Sequence, residues 1–322
     1  MKAAIVQEMG QAPVYGDFAE PVPCADEHRV WVTAAAVSHV ARRKAAGMHY
    51  SAANRLPFVV GIDGVGRLDD GRRVYFAMPR APYGAMAEQT VVPSAQCLLL
   101  PDDLDDVTAA AIANPGLSSW AAYTERARLK PGETVLVNGA TGTAGRLAVQ
   151  IAKHLGAGKI IATGRNTDAL RSLTTLGADV TIPLVENRTE LEDSFKKEFA
   201  ERVDVVIDYL WGPSAECLLI AAARAQADAA PIRFVQVGSV SGADITLPAA
   251  VLRSLPIELM GSGIGSVARD RLVKIIDEVL RATVPSGFRI AVAPLPLSEF
   301  ERAWPNDDGA NRTVFTVDAP RS

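Results

Sequence analysis

Residues 129–157, LKPGETVLVNGATGTAGRLAVQIAKHLGA, decide how this chain reads. A short apolar run, TVLVN at 134–138, follows the breaker Pro131-Gly132-Glu133. It runs straight into Gly139, Gly142 and Gly145, each separated from the next by two residues. Beyond the last glycine, apolar residues recur at helical spacing through LAVQIAKHL. A strand, a glycine loop and a helix in immediate succession let backbone N–H groups approach a pyrophosphate closely. The helix start, from about Thr143, adds unpaired donors and the positive end of a dipole. A tight strand-to-helix turn that holds nothing would use the same elements, so the next strand matters.

That strand is KIIATGRN, 159–166. A fold selective for NAD usually carries an acidic side chain at this tip to hold the ribose hydroxyls. Here the tip is Thr163, Gly164, Arg165 and Asn166, and Asp168 already falls inside the following helix start. Arg165 offers a planar, permanently charged fork suited to a 2′-phosphate, and Asn166 and Thr163 can add neutral hydrogen bonds. The tip predicts NADPH over NADH. The alternative for the same residues is a solvated arginine followed by a helix cap at Asn166 or Thr167.

Working outward, strand-like and helix-length segments alternate from about Lys130 to IELMGSGIGS, ending near 266. That alternation predicts a parallel sheet with helices on both faces. Upstream, the first ~115 residues consist of short strand-like runs such as AAIVQ, HRVWVTAAAV and RRVYFAM, broken by Gly, Pro and Asp. Asp69-Asp70-Gly71 between two such runs is a hairpin signal. The helix-like DDVTAAAIANPGLSSWAAYTERARL leads out of this β-rich unit, and RTVFTVD supplies a last strand near the end. The class is therefore α/β. A Rossmann doubly wound sheet over 119–264 is inserted in a β-rich unit made of 1–118 and 265–322.

Bulk properties narrow the function. A net charge of −4 and scattered Lys and Arg exclude the basic face that nucleic acid requires. Three cysteines, Cys24, Cys97 and Cys217, each isolated, fit a reducing compartment and not a disulfide framework. The N-terminal MKAAIVQEMG lacks a signal-peptide core, and no run approaches the ~20 apolar residues of a membrane span. The expectation is a cytoplasmic protein with no membrane partner.

Taken together, several stretches resemble the medium-chain dehydrogenase/reductase superfamily, in its zinc-free quinone-oxidoreductase-like branch. They are LPFVVGIDGVG, YGAMAEQTVVPS, AAAIANPGLSSWAAY, the loop segment above, DVVIDYLWG, FVQVGSV and IELMGSG. The resemblance implies a GroES-like substrate domain split around the Rossmann domain, and a homodimer formed by edge pairing of the IELMGS strand. It also implies pyrophosphate contacts at Thr141, Gly142, Thr143 and Ala144, and a nicotinamide near Gly238, Ser239, Gly261 and Ser262. Arg312 is nominated as a further cofactor contact.

In zinc-bearing relatives three ligands hold a catalytic ion. The matching positions here are Ser38, Ile62 and Asn114, none a usual zinc ligand, so no metal is expected. Without a Lewis acid, the acceptor must already be electrophilic, which points to a small quinone or α,β-unsaturated carbonyl. Tyr50 is the candidate proton donor, with His49, Ser38 and Asn114 in orienting roles; solvent water is the alternative source. Two other readings stay open: an enoyl-thioester or alkenal reductase, and a non-catalytic NADPH-binding sensor on the same fold.

Overall fold

The computed structural model describes residues 1–48, 56–225, 231–306 and 311–318. Three strands lead: β1 (Lys2–Val6), β2 (Val14–Asp17) and β3 (Glu27–Ala36). Helix α1 (His39–Ala45) precedes β4 (Phe58–Val59), β5 (Asp63–Leu68), β6 (Arg73–Ala77), β7 (Gln89–Pro93) and β8 (Cys97–Leu99). Helix α2 (Asp106–Ala121) then runs into a π-helical turn over Ala122–Ala127.

The alternating part follows as β9 (Thr134–Asn138), α3 (Thr143–His154), β10 (Lys159–Gly164), α4 (Thr167–Ser172) and β11 (Val180–Pro183). It continues with α5 (Arg188–Glu201), β12 (Val205–Asp208), α6 (Gly212–Ala225), β13 (Ile232–Gln236), α7 (Ala249–Ser254) and β14 (Ile257–Gly261). Helix α8 (Arg269–Ser286), β15 (Val292–Pro296), α9 (Phe300–Ala303) and β16 (Arg312–Thr316) complete the order. Contacts divide the chain into a first unit, 1–114 with 276–322, and a second unit, 115–275.

In the second unit six parallel strands run in the order β11-β10-β9-β12-β13-β14. Counted by appearance this is 3-2-1-4-5-6, the Rossmann order, with its direction of growth reversing between β9 and β12. The sequences explain why. TVLVN and VVID are apolar runs without alternation, and every residue of β9 and β12 is buried, as a sheet covered on both faces demands. Helix α3 buries Leu147, Ala148, Val149, Ile151 and Ala152 and carries Lys153 in its last turn, a cation at the negative end of its dipole. Phe195 and Phe199 of α5 and Leu218 and Leu219 of α6 share a core with Leu136, Ile161, Val206 and Phe234 of the sheet.

The first unit holds a three-stranded sheet, β2-β1-β4, and a seven-stranded sheet, β15-β16-β3-β5-β6-β8 with β7 also on β3. All pairs but β15–β16 are antiparallel. The Asp69-Asp70-Gly71 turn joins β5 to β6, with Gly71 at φ +86°. Val30, Val32, Val74, Phe76, Phe300 and Phe315 form its core. The molecule is thus a Rossmann sheet with a separate antiparallel β unit, as the sequence predicts. No helix among the described residues is long and apolar enough to cross a membrane.

Candidate functional site

The second unit places its chemistry along the C-terminal edge of the parallel sheet, where ligands of this topology bind. Strand β9 ends at Asn138, and Gly139 turns the chain with φ +86°, a backbone conformation that an L side chain rarely adopts. Gly145 lets α3 approach the loop: a Cβ there would lie 2.4 Å from the Gly139 carbonyl oxygen. Gly142, the residue before α3, is different. It is exposed, and a Cβ on it would meet nothing nearer than that same oxygen at 3.9 Å. Among the described residues no side chain caps α3 at this end, so the first-turn N–H groups of Thr143, Ala144 and Gly145 face an open cradle. That is the arrangement a bound anion completes.

A buried network fixes the cradle to the sheet. The Thr163 hydroxyl donates to Asn138 Oδ1 at 2.7 Å and accepts the Gly139 N–H at 3.1 Å. Asn138 Nδ2 donates to Asp208 Oδ1 at 2.8 Å. Asp208 in turn accepts the N–H groups of Leu210 and Trp211 at 2.9 and 3.1 Å. Three strand ends, β10, β9 and β12, are thereby tied side by side across the reversal point. Burial pushes the Asp208 carboxyl above its ordinary value, while the two backbone N–H groups and Asn138 pull it back.

The second strand ends as the sequence anticipates in part. Gly164 lies against Thr141: a Cβ on it would fall 2.4 Å from Thr141 Cγ2, so these two candidate segments adjoin. Arg165 is exposed, and its guanidinium has no hydrogen-bond or ion-pair partner among the described residues. Asn166 caps α4, its Oδ1 accepting the Ala169 N–H at 2.9 Å, which leaves only its amide –NH2 for a ligand. Thr163 differs from expectation. Its hydroxyl is fully buried and engaged as both donor and acceptor, so it supports the loop and does not face a ligand.

Farther along the same edge stand Gly238 and Ser239 after β13, and Gly261 and Ser262 at the end of β14. Gly238 N–H donates to the Asp208 carbonyl at 3.1 Å, and Ser262 N–H to the Gln236 carbonyl at 2.8 Å. A Cβ at Gly238 would lie 2.5 Å from the Tyr209 carbonyl oxygen. Sequence reasoning missed Tyr209. Its hydroxyl shares a 2.8 Å hydrogen bond with Ser119, whose Oγ also lies 3.2 Å from the Ala144 carbonyl in the first turn of α3. Burial pushes the Tyr209 hydroxyl up to about 12, against the opposing pull of Ser119 and Ser118. The available signal was its position one residue past β12, beside the reversal point.

The remaining nominated residues lie in the first unit. Ser38 is buried and caps α1, its Oγ accepting the Ala41 N–H at 3.0 Å. Asn114 is half-buried within α2. Tyr50 and His49 lie outside the described residues. Arg312 opens β16, and the effect seen for its guanidinium is electrostatic: its positive charge favours ionisation of Asp63. Tyr75 donates to Asp63 Oδ2 at 2.8 Å, yet burial dominates and holds the Asp63 carboxyl at about 6. A hydroxyl that caps a helix, an aliphatic side chain at Ile62 and a carboxamide at Asn114 do not fit a catalytic zinc. Among the described residues no group of three or more His, Cys, Asp or Glu side chains is placed to hold a metal ion.

Comparison with known proteins adds the lineage. A family model described as zinc-binding dehydrogenase matches residues 144–281. The chain is similar to the probable NADPH-dependent quinone reductase tdiC of Emericella nidulans, with 29% identity over 362 aligned positions. That alignment covers 98% of this chain and 100% of that protein. A solved quinone oxidoreductase from Thermus thermophilus, studied with its NADPH complex, matches with a TM-score of 0.82 and 26% identity over 98% of this chain and 100% of that one. The chain is a quinone reductase-like medium-chain dehydrogenase/reductase. This medium-chain reductase is also 29% identical, over 159 residues, to the trans-enoyl reductase pgmF of Aspergillus terreus, covering 49% of this chain and 42% of that protein.

Proposed function

We propose that this medium-chain reductase binds NADPH on its second unit and, without zinc, delivers hydride to a quinone or α,β-unsaturated carbonyl. The observation that carries the reading is Arg165, an exposed guanidinium without a partner among the described residues, at the strand tip where a ribose-binding carboxylate would favour NAD. Thr141, Gly142, Thr143 and Ala144 would hold the pyrophosphate in the open cradle. Gly164, Arg165 and the Asn166 amide would hold the 2′-phosphate and its ribose, and Gly238, Ser239, Gly261 and Ser262 would border the nicotinamide. When bound, the dinucleotide supplies the hydride, and the chain's task is orientation and exclusion of water.

Because Ser38, Ile62 and Asn114 offer no zinc donor set, nothing polarises a simple aldehyde, and the acceptor must bring its own electron-poor carbon. Tyr50 is the proposed proton donor, with Ser38 and Asn114 orienting the acceptor. Unchanged turnover in Tyr50→Phe would assign the proton to water instead. The similarity to a trans-enoyl reductase favours a second acceptor class, an enoyl thioester or alkenal. A cytoplasmic homodimer belongs to the same reading. Strand β14 ends the six-stranded sheet and exposes Leu259, and sheet edges pair readily; light scattering on the purified chain tests it.

Equilibrium titration tests the cofactor. NADPH should bind at least tenfold tighter than NADH, and Arg165→Gln should remove that preference, since a charge-assisted pair contributes about 1.5–3 kcal/mol. Equal affinities in the unaltered protein would refute the reading. Consumption of NADPH across quinones, enones and enoyl thioesters then separates the acceptor classes, and binding without turnover would mark a sensor.

A further inference from the structure

The first unit contains a cavity of about 200 Å³ between α1, β4 and the segment after β6. Its wall is apolar, formed by Phe58, Val60, Ile62, Pro82 and Tyr83 among others, and the one charged side chain lining it among the described residues is Lys44. A closed apolar cavity of ~150 Å³ already holds benzene. This one therefore has room for an aromatic ring and a short arm. Apolar walls with a small number of polar groups are the usual composition of a small-molecule site.

Lys44 needs a partner. The last turn of α1 carries Arg42, Arg43 and Lys44, and its first turn has no acidic residue. Arg42 donates from Nη1 to the Trp304 carbonyl at 2.5 Å, and its guanidinium lies 4.7 Å over the Trp304 ring. Arg43 is exposed and reaches the Met48 carbonyl at 3.4 Å. Lys44 is half-buried, and among the described residues no carboxylate or side-chain acceptor meets its ammonium. Burial lowers its pKa, the mark of a charge short of solvation. Across the cavity, the Arg80 guanidinium stands 6.0 Å from the Tyr83 ring and is neutralised by Glu27. Among the described residues, Lys44 is therefore the one charge at the cavity wall without an opposite charge beside it.

We propose that this cavity binds a small apolar acid, an aromatic or unsaturated carboxylate or its equivalent, with the ligand's ionised group paired to the Lys44 ammonium and its apolar body against Phe58, Val60 and Tyr83. Such a ligand is either the hydride acceptor itself or a separate effector, and both share this chemistry.

Calorimetry on the full chain at neutral pH decides the matter, using trans-cinnamate and cinnamamide as probes that differ in charge and scarcely in shape. Cinnamate should bind at least tenfold tighter than cinnamamide. Lys44→Met should reduce that preference to twofold or less while leaving cinnamamide unchanged, and Lys44→Arg should retain it. Cinnamate binding that is undetectable, or equally strong in Lys44→Met, overturns the proposal. Inhibition kinetics against the neutral acceptor 1,4-naphthoquinone separate the two sources: competition places the acid in the acceptor's position, and any other pattern makes it an effector. Should no quinone be reduced at all, the oxidoreductase reading fails while the calorimetry still judges the cavity.

Discussion

Asp63 makes stability of the first unit depend on pH in a direction opposite to that of most carboxylates. It begins β5, is 4% exposed, and accepts a 2.8 Å hydrogen bond from Tyr75 on the neighbouring strand β6. Burial raises its carboxyl from the ordinary 3.8 to about 6, despite the opposing pull of Arg312 and Tyr75. In the unfolded chain the group ionises near pH 4, whereas in the folded chain it stays protonated to about pH 6. Between those values folding takes up a proton, so stability falls as pH rises and levels off above pH 6. The full difference is about 3 kcal/mol, since each tenfold change in acidity is worth about 1.4 kcal/mol.

Asp63→Asn removes the titration while keeping an acceptor for Tyr75. The pull of Arg312 on the ionised carboxyl is already contained in the value of about 6, so only packing and hydrogen-bond changes in the variant are left over, and those do not vary with pH. The slope with pH, not the level, is therefore diagnostic. The stability of the Asp63→Asn variant relative to the unaltered protein should grow by about 2 kcal/mol between pH 4.5 and 7.5. Urea unfolding measures it best with Trp120→Phe and Trp211→Phe in both proteins, so that fluorescence reports only Trp31 and Trp304 of the first unit. A difference that stays constant within about 0.5 kcal/mol, or shrinks as pH rises, would refute the account of a desolvated carboxyl.

Two further outcomes concern the glycine loop. Gly142→Ala should leave the melting temperature within a few degrees, because the new Cβ has open space at φ −75°, yet weaken NADPH at least tenfold by intruding on the cradle. Gly145→Ala should instead cost about 1–3 kcal/mol or more of stability, since its Cβ meets the Gly139 carbonyl at 2.4 Å; stability losses of equal size in the two variants would contradict this division of roles. Thr163→Val should destabilise the second unit by about 1–3 kcal/mol, because it leaves Asn138 Oδ1 and the Gly139 N–H buried without their partner. Urea titration checks it, and a change below about 0.5 kcal/mol would mean that the network tying the strand ends is dispensable.

How much could be read from the chain alone follows from the range of each interaction. The runs TVLVN and VVID, the helical spacing in LAVQIAKHL and the glycines between them are local patterns, and each matches the element it predicts. Their alternation was enough to give a parallel doubly wound sheet, because β-strand and helix periodicities are set by near neighbours. The absence of a carboxylate before Asp168 is equally local, and it leaves Arg165 as the charged side chain at the strand tip. For Asn166 the sequence left a cap and a ligand contact both open, and its Oδ1 caps α4.

Tertiary structure decided what depends on partners far away along the chain. Thr163 reads as a ligand contact in isolation, but folding turns its hydroxyl inward to Asn138, 25 residues away, and Asn138 reaches Asp208 across 70 more. Nothing near Tyr209 in sequence announces that it meets Ser119, or that Asp63 is sealed beneath Tyr75. Of three consecutive cations in α1, only packing selects Lys44 to line a cavity. Elements are specified by contacts between neighbours in sequence. Protonation, cavities and ligand-facing side chains are specified by burial, which exists only once distant segments have met.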